Sequence, residues 1–332
     1  MSPQGAPAVS RLGRRRLGGE SLLAPAGWMY RAINRVRRAL YRRGLLRGRQ
    51  LPRVVISVGN RAAGGAGKTP TVIAIARRLE SEGLRVTVLS RGYGRRDVQT
   101  FALVTSPDAE RFGDEPALIA RSLPGVDVVV GADRFTAATR YLQDGDCDVF
   151  LLDDAFQHLG LQRDIDIVIE SKARWYREGP TALADADLVL IRDSLPPPAG
   201  RPSFSLTLVP VRMASYAGSL GLEVLRGVPV FAFSGLADNS RFFATLESLG
   251  ARIVGRREFP DHHRYSSSDL AAIRREATRA EASQIVTTEK DAIKLREPDI
   301  LALEVSAQFG EDATFFGRLL QGIRDAQNAR PR

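Results

Sequence analysis

A chain of 332 residues with 44% hydrophobic and 26% charged content has material for one large or two moderate buried cores. Its single cysteine excludes an internal disulfide framework. No apolar run approaches the roughly 18–20 residues of a membrane span, and the N-terminus lacks a signal-peptide core, so a cytoplasmic chain is expected. The net charge of +10 is concentrated: residues 1–53 hold 13 Arg against one Glu, a balance of +12, which leaves −2 for the rest and excludes a body that binds polyanions generically.

Residues 1–24, rich in Pro, Gly and Arg and without periodicity, read as a disordered basic tail. From Pro25 to Leu46, within a segment spanning 25–50, a helical pattern appears. Met29, Ile33, Val36 and Leu40 make one apolar stripe, Arg31, Arg35, Arg38 and Arg42 lie on the opposite face, and Trp28, Tyr30 and Tyr41 flank the stripe. A basic amphipathic helix of this kind is expected at an anionic membrane surface, where each Arg contributes about 1 kcal/mol. The alternative is a helix packed on the protein's own body with solvated Arg. A nucleic-acid partner is not expected, because the stripe would then be unused.

The apolar run from Val54 enters a glycine-rich turn, Gly64, Gly65, Ala66, Gly67, followed by Lys68 and Thr69, with a helix expected from Thr71 to Glu82. This order is the strand–loop–helix of a P-loop. Backbone N–H groups cradle phosphates, Lys68 reaches the β/γ-phosphates, and the Thr69 hydroxyl ligates Mg²⁺. The strict pattern asks for Gly at position 62, where this chain has Ala62.

Further strands are expected at Arg85–Ser90, Val126–Val130, Val149–Leu152, Ile165–Ile169 and Leu188–Ile191, alternating with helix-length stretches. That alternation predicts a mostly parallel sheet covered on both faces, with ligands beyond the carboxyl ends of strands. Chemistry-bearing residues fall just after these strands. Asp153 and Asp154 end one as a Walker B pair for Mg²⁺, although Asp pairs also cap helices. Gln157 and His158 follow within one turn, His158 being equally consistent with a structural role. Arg91 and Tyr93 lie in a Gly-rich turn suited to an anionic group or simply solvated. Asp114 and Glu115 precede a helix with Pro116 near its first turn, where capping alone would explain an acid, and Asp133 with Arg134 admits the same two readings.

Three consecutive prolines within Ser194–Gly200 read as a linker closing a P-loop domain at 51–195, with strands able to return to about 225. A smaller α/β domain is expected over 226–325, with strands at Val228–Phe233, Arg252–Gly255 and Gln284–Thr288 and helices at Asn239–Leu249 and Ser266–Glu281. Lys290 near a strand end would meet a substrate phosphate or pair with Glu289 or Asp291 at the surface.

The ordered series Gly59, Asn60, Gly64 to Pro70; Ser90 to Gly94; Gly113 to Pro116; Asp133, Arg134; Asp153, Asp154, Gln157, His158; Phe259 to His263; and Thr288 to Ala292 closely resembles the tetraacyldisaccharide 4′-kinases of Gram-negative bacteria. The likeness runs from about Leu22 to about Leu295. It implies a P-loop kinase, peripheral at the cytoplasmic face of the inner membrane, that moves the γ-phosphate of ATP to the 4′-hydroxyl of a lipid A disaccharide precursor. It also implies an active site between two α/β domains. By the resemblance, Asp114 is the general base, partnered by His262 or the adjacent His263. Glu115, Asp153, Asp154 and Thr69 handle Mg²⁺, while Asn60, Arg91, Tyr93, Arg134, Gln157, His158 and Arg177 face substrate. Two departures stand out: Ala62 replaces a small hydroxyl residue, and the loop Ser171–Pro180 is shorter than the family's, with Arg177 and Glu178 matching the Arg-Glu of its longer run. The competing reading is a membrane-attached P-loop ATPase switch with no sugar acceptor, and an inactive lipid-binding relative is a third. Acyl-chain length, nucleotide preference and oligomeric state are not encoded in any motif.

Overall fold

The computed structural model describes residues 20–62, 64–96, 101–173, 175–215, 218–295 and 297–330, with side chains from residue 29 onward. Residues 1–19 of the expected tail and the Trp28 side chain lie outside that set. Residues 20–24, expected in the tail, instead begin helix α1 (Glu20–Arg42), which ends four residues short of the expected Leu46 in a turn at Gly44.

Strand β1 (Val54–Asn60) leads through the glycine turn into α2 (Lys68–Ser81). Next come β2 (Val86–Ser90), the short β3 (Ala102–Leu103), α3 (Ala109–Phe112), α4 (Asp114–Ser122), β4 (Asp127–Val130) and α5 (Arg134–Tyr141). Strands β5 (Val149–Asp153), β6 (Ile165–Glu170) and β7 (Leu188–Ile191) complete the first lobe's sheet. The long β8 (Ser203–Ser215) and β9 (Gly218–Leu220) follow, then β10 (Pro229–Ser234), α6 (Ser240–Ser248), β11 (Arg252–Glu258), α7 (Ser267–Arg279), β12 (Gln284–Thr288) and α8 (Glu289–Ala292). Strand β13 (Ile300–Phe309) and α9 (Asp312–Asn328) close the chain.

The strands form one mixed, mostly parallel sheet ordered β11-β10-β12-β13-β8-β7-β6-β1-β5-β2-β4-β3. Strand β1 lies between β5 and β6, parallel to both, and every residue of it is buried, as expected for a strand covered on both faces. One face packs Val72, Ile75 and Leu79 of α2 with Phe315, Leu319 and Ile323 of α9; the other packs Ala137, Ala138 and Tyr141 of α5. Strand β8 joins the lobes: Ser203–Ser205 run parallel to β7, and Leu206–Ala214 run antiparallel to β13. The segment expected as 226–325 does not stay together, because α9 returns to the first lobe and buries its apolar face there.

The docking of α1 differs from the alternative of a helix packed on the body with solvated Arg. Arg38 is buried against the body, paired with Glu178 and Asp185, and Arg42 also pairs with Asp185. Met29, Ile33 and Val36 are 64%, 56% and 59% exposed. The arginine face therefore docks the helix, because two carboxylates wait on the body, and the apolar stripe points outward. No helix among the described residues is long and apolar enough to cross a membrane.

Candidate active site

The carboxyl edges of β1, β2 and β5 open on a cleft of about 920 Å³ that is also lined from β8, β13, α6 and the loop before α7. Its floor is the glycine turn. Gly67 caps α2 in the left-handed region at φ 88° and Gly64 lies at φ 108°, so these positions favour residues without a Cβ. The α2 N-terminus thus points unpaired N–H groups into the cleft. Gly59 lets Phe156 approach: a Cβ there would fall 2.5 Å from the Phe156 Cβ. The entry of the turn, where Ala62 departs from the strict pattern, is braced by the loop before Pro180, since Ala62 bridges Tyr176, and Arg61 pairs with Glu170 and donates to the Glu178 carbonyl.

Lys68 Nζ lies 3.6 Å from Asp154 Oδ1 and 3.5 Å from Asn60 Oδ1. Gln157 Nε2 donates to the Asn60 carbonyl at 2.9 Å, which fixes both residues beside the turn. Neither aspartate of the Walker B pair caps a helix. Asp153 is buried with no hydrogen-bond partner on either carboxylate oxygen, and burial, reinforced by Glu115 and Asp154, pushes its pKa up to about 8. For Asp154 burial acts the same way, but Lys68 and Arg177 outweigh it and hold this carboxyl below its usual range. Asp154 sits at φ 48°, a strained backbone of the kind found at functional sites.

Asp114 and Glu115 occupy the first turn of α4 rather than a loop, and the helix is capped by Gly113 with no side-chain cap. Capping therefore does not account for Asp114. Its Oδ2 meets His262 Nδ1 from the second lobe at 3.1 Å and lies 3.7 Å from Lys294 Nζ. The adjacent His263 turns away, bonded to Asp269 and stacked on Phe259. Lys290 pairs with neither Glu289 nor Asp291 and lines the cleft. It reaches Asp261 at 3.1 Å, His262 Nε2 at 3.2 Å and Glu115 at 3.8 Å. Burial depresses its pKa but Glu115 and Asp261 more than offset that, so it stays a cation. An ammonium only donates, so His262 Nε2 accepts and Nδ1 carries the proton that is donated to Asp114.

The other expected substrate residues divide. Arg91 and the 67%-exposed Tyr93 line the open cleft, the Tyr93 ring 5.3 Å from that of His262. Arg177 is held by Asp154 at 3.3 Å. Arg134 is buried, lines the cleft and donates through Nη2 to the carbonyls of Asp153 and Asp154, so it shapes the backbone there, while its Nε has no partner; its neighbour Asp133 is the α5 cap. Burial and Arg134 lower the His158 pKa to about 4, leaving a neutral ring whose Nε2 has no partner. Lys294 was missed by motif reading, and Asp261, within the Phe259–His263 motif, was given no role there.

Among the described residues no three His, Cys, Asp or Glu side chains are gathered so as to hold a metal alone. That still suits Mg²⁺, which keeps several waters and needs one or two carboxylates plus phosphate oxygens. The unpartnered oxygens of buried Asp153, in a cleft that Asp154, Thr69 and Glu115 also line, fit such an ion.

The model of the family described as tetraacyldisaccharide-1-P 4′-kinase matches residues 20–324. Among relatives, a tetraacyldisaccharide 4′-kinase of Pelobacter propionicus is 41% identical over 301 residues, 83% of each chain. One of Anaeromyxobacter sp. strain Fw109-5 is 40% identical over 345 residues, 90% of this chain and 92% of its own. The crystal structure of LpxK from Aquifex aeolicus, solved in complex with ATP, superposes with a TM-score of 0.77 at 31% identity, covering 91% of this chain and 99% of that one.

Proposed function

The chain belongs to the tetraacyldisaccharide-1-phosphate 4′-kinase family, and from that premise we propose how its own residues move the γ-phosphate of ATP to the 4′-hydroxyl of a tetraacylated disaccharide 1-phosphate. The observation that carries the reading is the contact of Asp114 with His262 across the lobes, in the same cleft as Lys68 and the Walker B pair.

Phosphoryl transfer asks the protein for positioning, charge neutralisation and a base. The glycine turn and Lys68 hold the phosphates. Asp114 accepts the hydroxyl proton, and His262, donating through Nδ1, orients the carboxylate rather than taking the proton itself. Lys290 fixes that tautomer, and Lys294, 3.7 Å from Asp114, adds a cation beside the base. Thr69, Asp153, Asp154 and Glu115 would hold Mg²⁺, which when bound neutralises phosphate charge. Arg91, Tyr93, Gln157 and His158 line the acceptor side. The outward stripe of α1, joined by Tyr30 beside Trp175, supports peripheral attachment to a membrane from which the acceptor is drawn.

With Mg-ATP and tetraacyldisaccharide 1-phosphate, the purified protein transfers phosphate. Asp114→Ala lowers kcat by about 10²–10⁴, the usual worth of a positioned base, with the unfolding midpoint little changed. Slow ATP hydrolysis insensitive to the lipid would instead support the switch reading.

A further inference from the structure

His262 reaches Asp114 through a turn that its own residue type disfavours. The His263 N–H bonds the Pro260 carbonyl at 3.1 Å and closes four residues whose third, His262, lies in the left-handed region at φ 59°. Glycine or asparagine ordinarily takes such a position, and another residue stays there only where its surroundings over-determine the backbone. One of those surroundings is Lys294, just beyond α8. Its Nζ donates to the His263 carbonyl at 3.0 Å and to Asp291 Oδ1 at 2.8 Å, and lies 3.7 Å from Asp114 Oδ2 across the lobes. The same ammonium sits 5.1 Å from the Tyr265 ring centroid, and its side chain is 8% exposed.

Asp291 is the fixed point of this arrangement and is fully buried. Its Oδ2 accepts from the Gly235 N–H at 2.9 Å and from the Thr288 hydroxyl at 2.7 Å, while Oδ1 takes Lys294. Gly235 follows β10, and a Cβ there would stand 3.0 Å from the Pro260 carbonyl oxygen and 3.1 Å from Asp291 Oδ1. The strand end, the His262 turn and the carboxylate thus close on one another with no room for a side chain. Burial acts to raise the Asp291 pKa, but Lys294 and the bonds from Gly235 and Thr288 outweigh it and keep the carboxyl below its usual range.

We propose that Asp291 and Lys294 are positioning residues of the phosphoryl transfer: Asp291 anchors the Lys294 ammonium, and the ammonium locks the His262 turn and holds Asp114 against it. This rests on the reading of Asp114 as the base. Lys290 acts on the His262 ring, Lys294 on the backbone that carries it. Of the three ammonium protons, two are committed to Asp291 and the His263 carbonyl, which leaves the third for Asp114; the 3.7 Å separation is long, as catalytic contacts often are before substrate binds. A buried ion pair adds little to stability over apolar side chains of the same volume, so stability alone does not account for a cation set beside the base. Neither side chain lines the cleft, so neither serves as a substrate contact.

The test is steady-state turnover with Mg-ATP and tetraacyldisaccharide 1-phosphate, together with urea midpoints, on the full chain. A base misplaced by about 1 Å costs up to about 10²-fold, so Lys294→Met lowers kcat by about 10–100-fold. KM for ATP and for the acceptor stay within about twofold, the mark of an interaction made in the transition state. Lys294→Met strands the Asp291 charge and lowers the midpoint. Adding Asp291→Asn removes that charge, keeps an acceptor for the Gly235 N–H and restores the midpoint, while kcat stays low. Lys294→Arg, which keeps the ion pair, recovers much of kcat. Because Lys294 acts through His262, His262→Ala combined with Lys294→Met loses far less than the product of the two single losses. Recovery of kcat together with the midpoint in the Asp291→Asn, Lys294→Met protein would make the pair merely structural and overturn the assignment. So would fully multiplicative losses with His262→Ala, a loss expressed in KM, or unchanged kcat in Lys294→Met. A wild-type chain that transfers no phosphate would overturn the kinase reading itself, and this assignment with it.

Discussion

Removing Arg38 tests the finding that α1 is held by its arginine face. The guanidinium donates to Glu178 Oε2 at 2.9 Å, to Asp185 Oδ2 at 2.7 Å and to the Phe156 carbonyl at 2.9 Å, and stacks 3.9 Å from the Phe156 ring centroid. Both Arg38 and Glu178 side chains are 4% exposed. Asp185 keeps Arg42 in an Arg38→Ala variant, so Glu178 is the group left stranded. Breaking a buried pair from one side costs about 3–5 kcal/mol. A ceiling applies, because the carboxyl escapes by protonation at about 1.4 kcal/mol per pH unit. Burial already raises the Glu178 pKa above the carboxylate norm even with Arg38 present, and without it the shift grows. A raised folded-state pKa means stability is present below the unfolded value and lost as pH rises through the folded one. The penalty of Arg38→Ala is therefore small near pH 5 and largest near pH 8.

The assay is urea denaturation at both pH values, paired with hydrogen exchange of α1 to detect local undocking, since a chain of this size need not unfold in one step. Glu178→Gln added to Arg38→Ala removes the pH dependence, and Arg38→Met with Glu178→Leu restores most of the stability. Because Glu178 adjoins Arg177, which holds Asp154, turnover falls with the undocking. A midpoint and α1 exchange unchanged at pH 8 would refute the reasoning.

Two further outcomes follow from other groups. Burial, with Glu304, raises the Glu289 pKa to about 7, so the folded state holds a proton that the unfolded chain has released between roughly pH 4.5 and 7; Glu289→Gln then flattens a loss of about 3 kcal/mol over that window and stabilises the protein at pH 8, measured as urea midpoints across pH. Ile33→Asp with Val36→Asp charges the outward stripe and shifts the enzyme from anionic vesicles to the soluble fraction in sedimentation without moving its unfolding midpoint, since neither side chain packs on the body; unchanged partitioning would count against membrane attachment through α1.

Most of the parallel sheet was legible because its strands are short, doubly buried and therefore nearly continuous in apolar character. Val149–Asp153 and Leu188–Ile191 need no partner information to be read as strands. Strand β8 was not legible for a specific reason: Pro210 sits in its middle, which argues against a strand, and the ladder to β13 shifts register at that point to accommodate the missing donor. Beyond Pro298 the motifs end, although Phe315, Leu319 and Ile323 keep helical spacing and an apolar run precedes them. Nothing local says that this last helix returns to the first lobe.

The site shows the same division between chemistry and placement. Residue types after strands marked the cleft, but which of two adjacent histidines serves it depends on a backbone detail. His262 takes a left-handed φ of 59°, and that turn directs its ring to Asp114 while His263 packs behind on Phe259. Likewise α1 has an ordinary amphipathic pattern, and only the carboxylates of Glu178 and Asp185, about 140 residues away, decide which face turns inward. A period read along one segment gives faces without assigning them. Assignment comes from the partner's charge, and here the partner leaves Met29, Ile33 and Val36 outward.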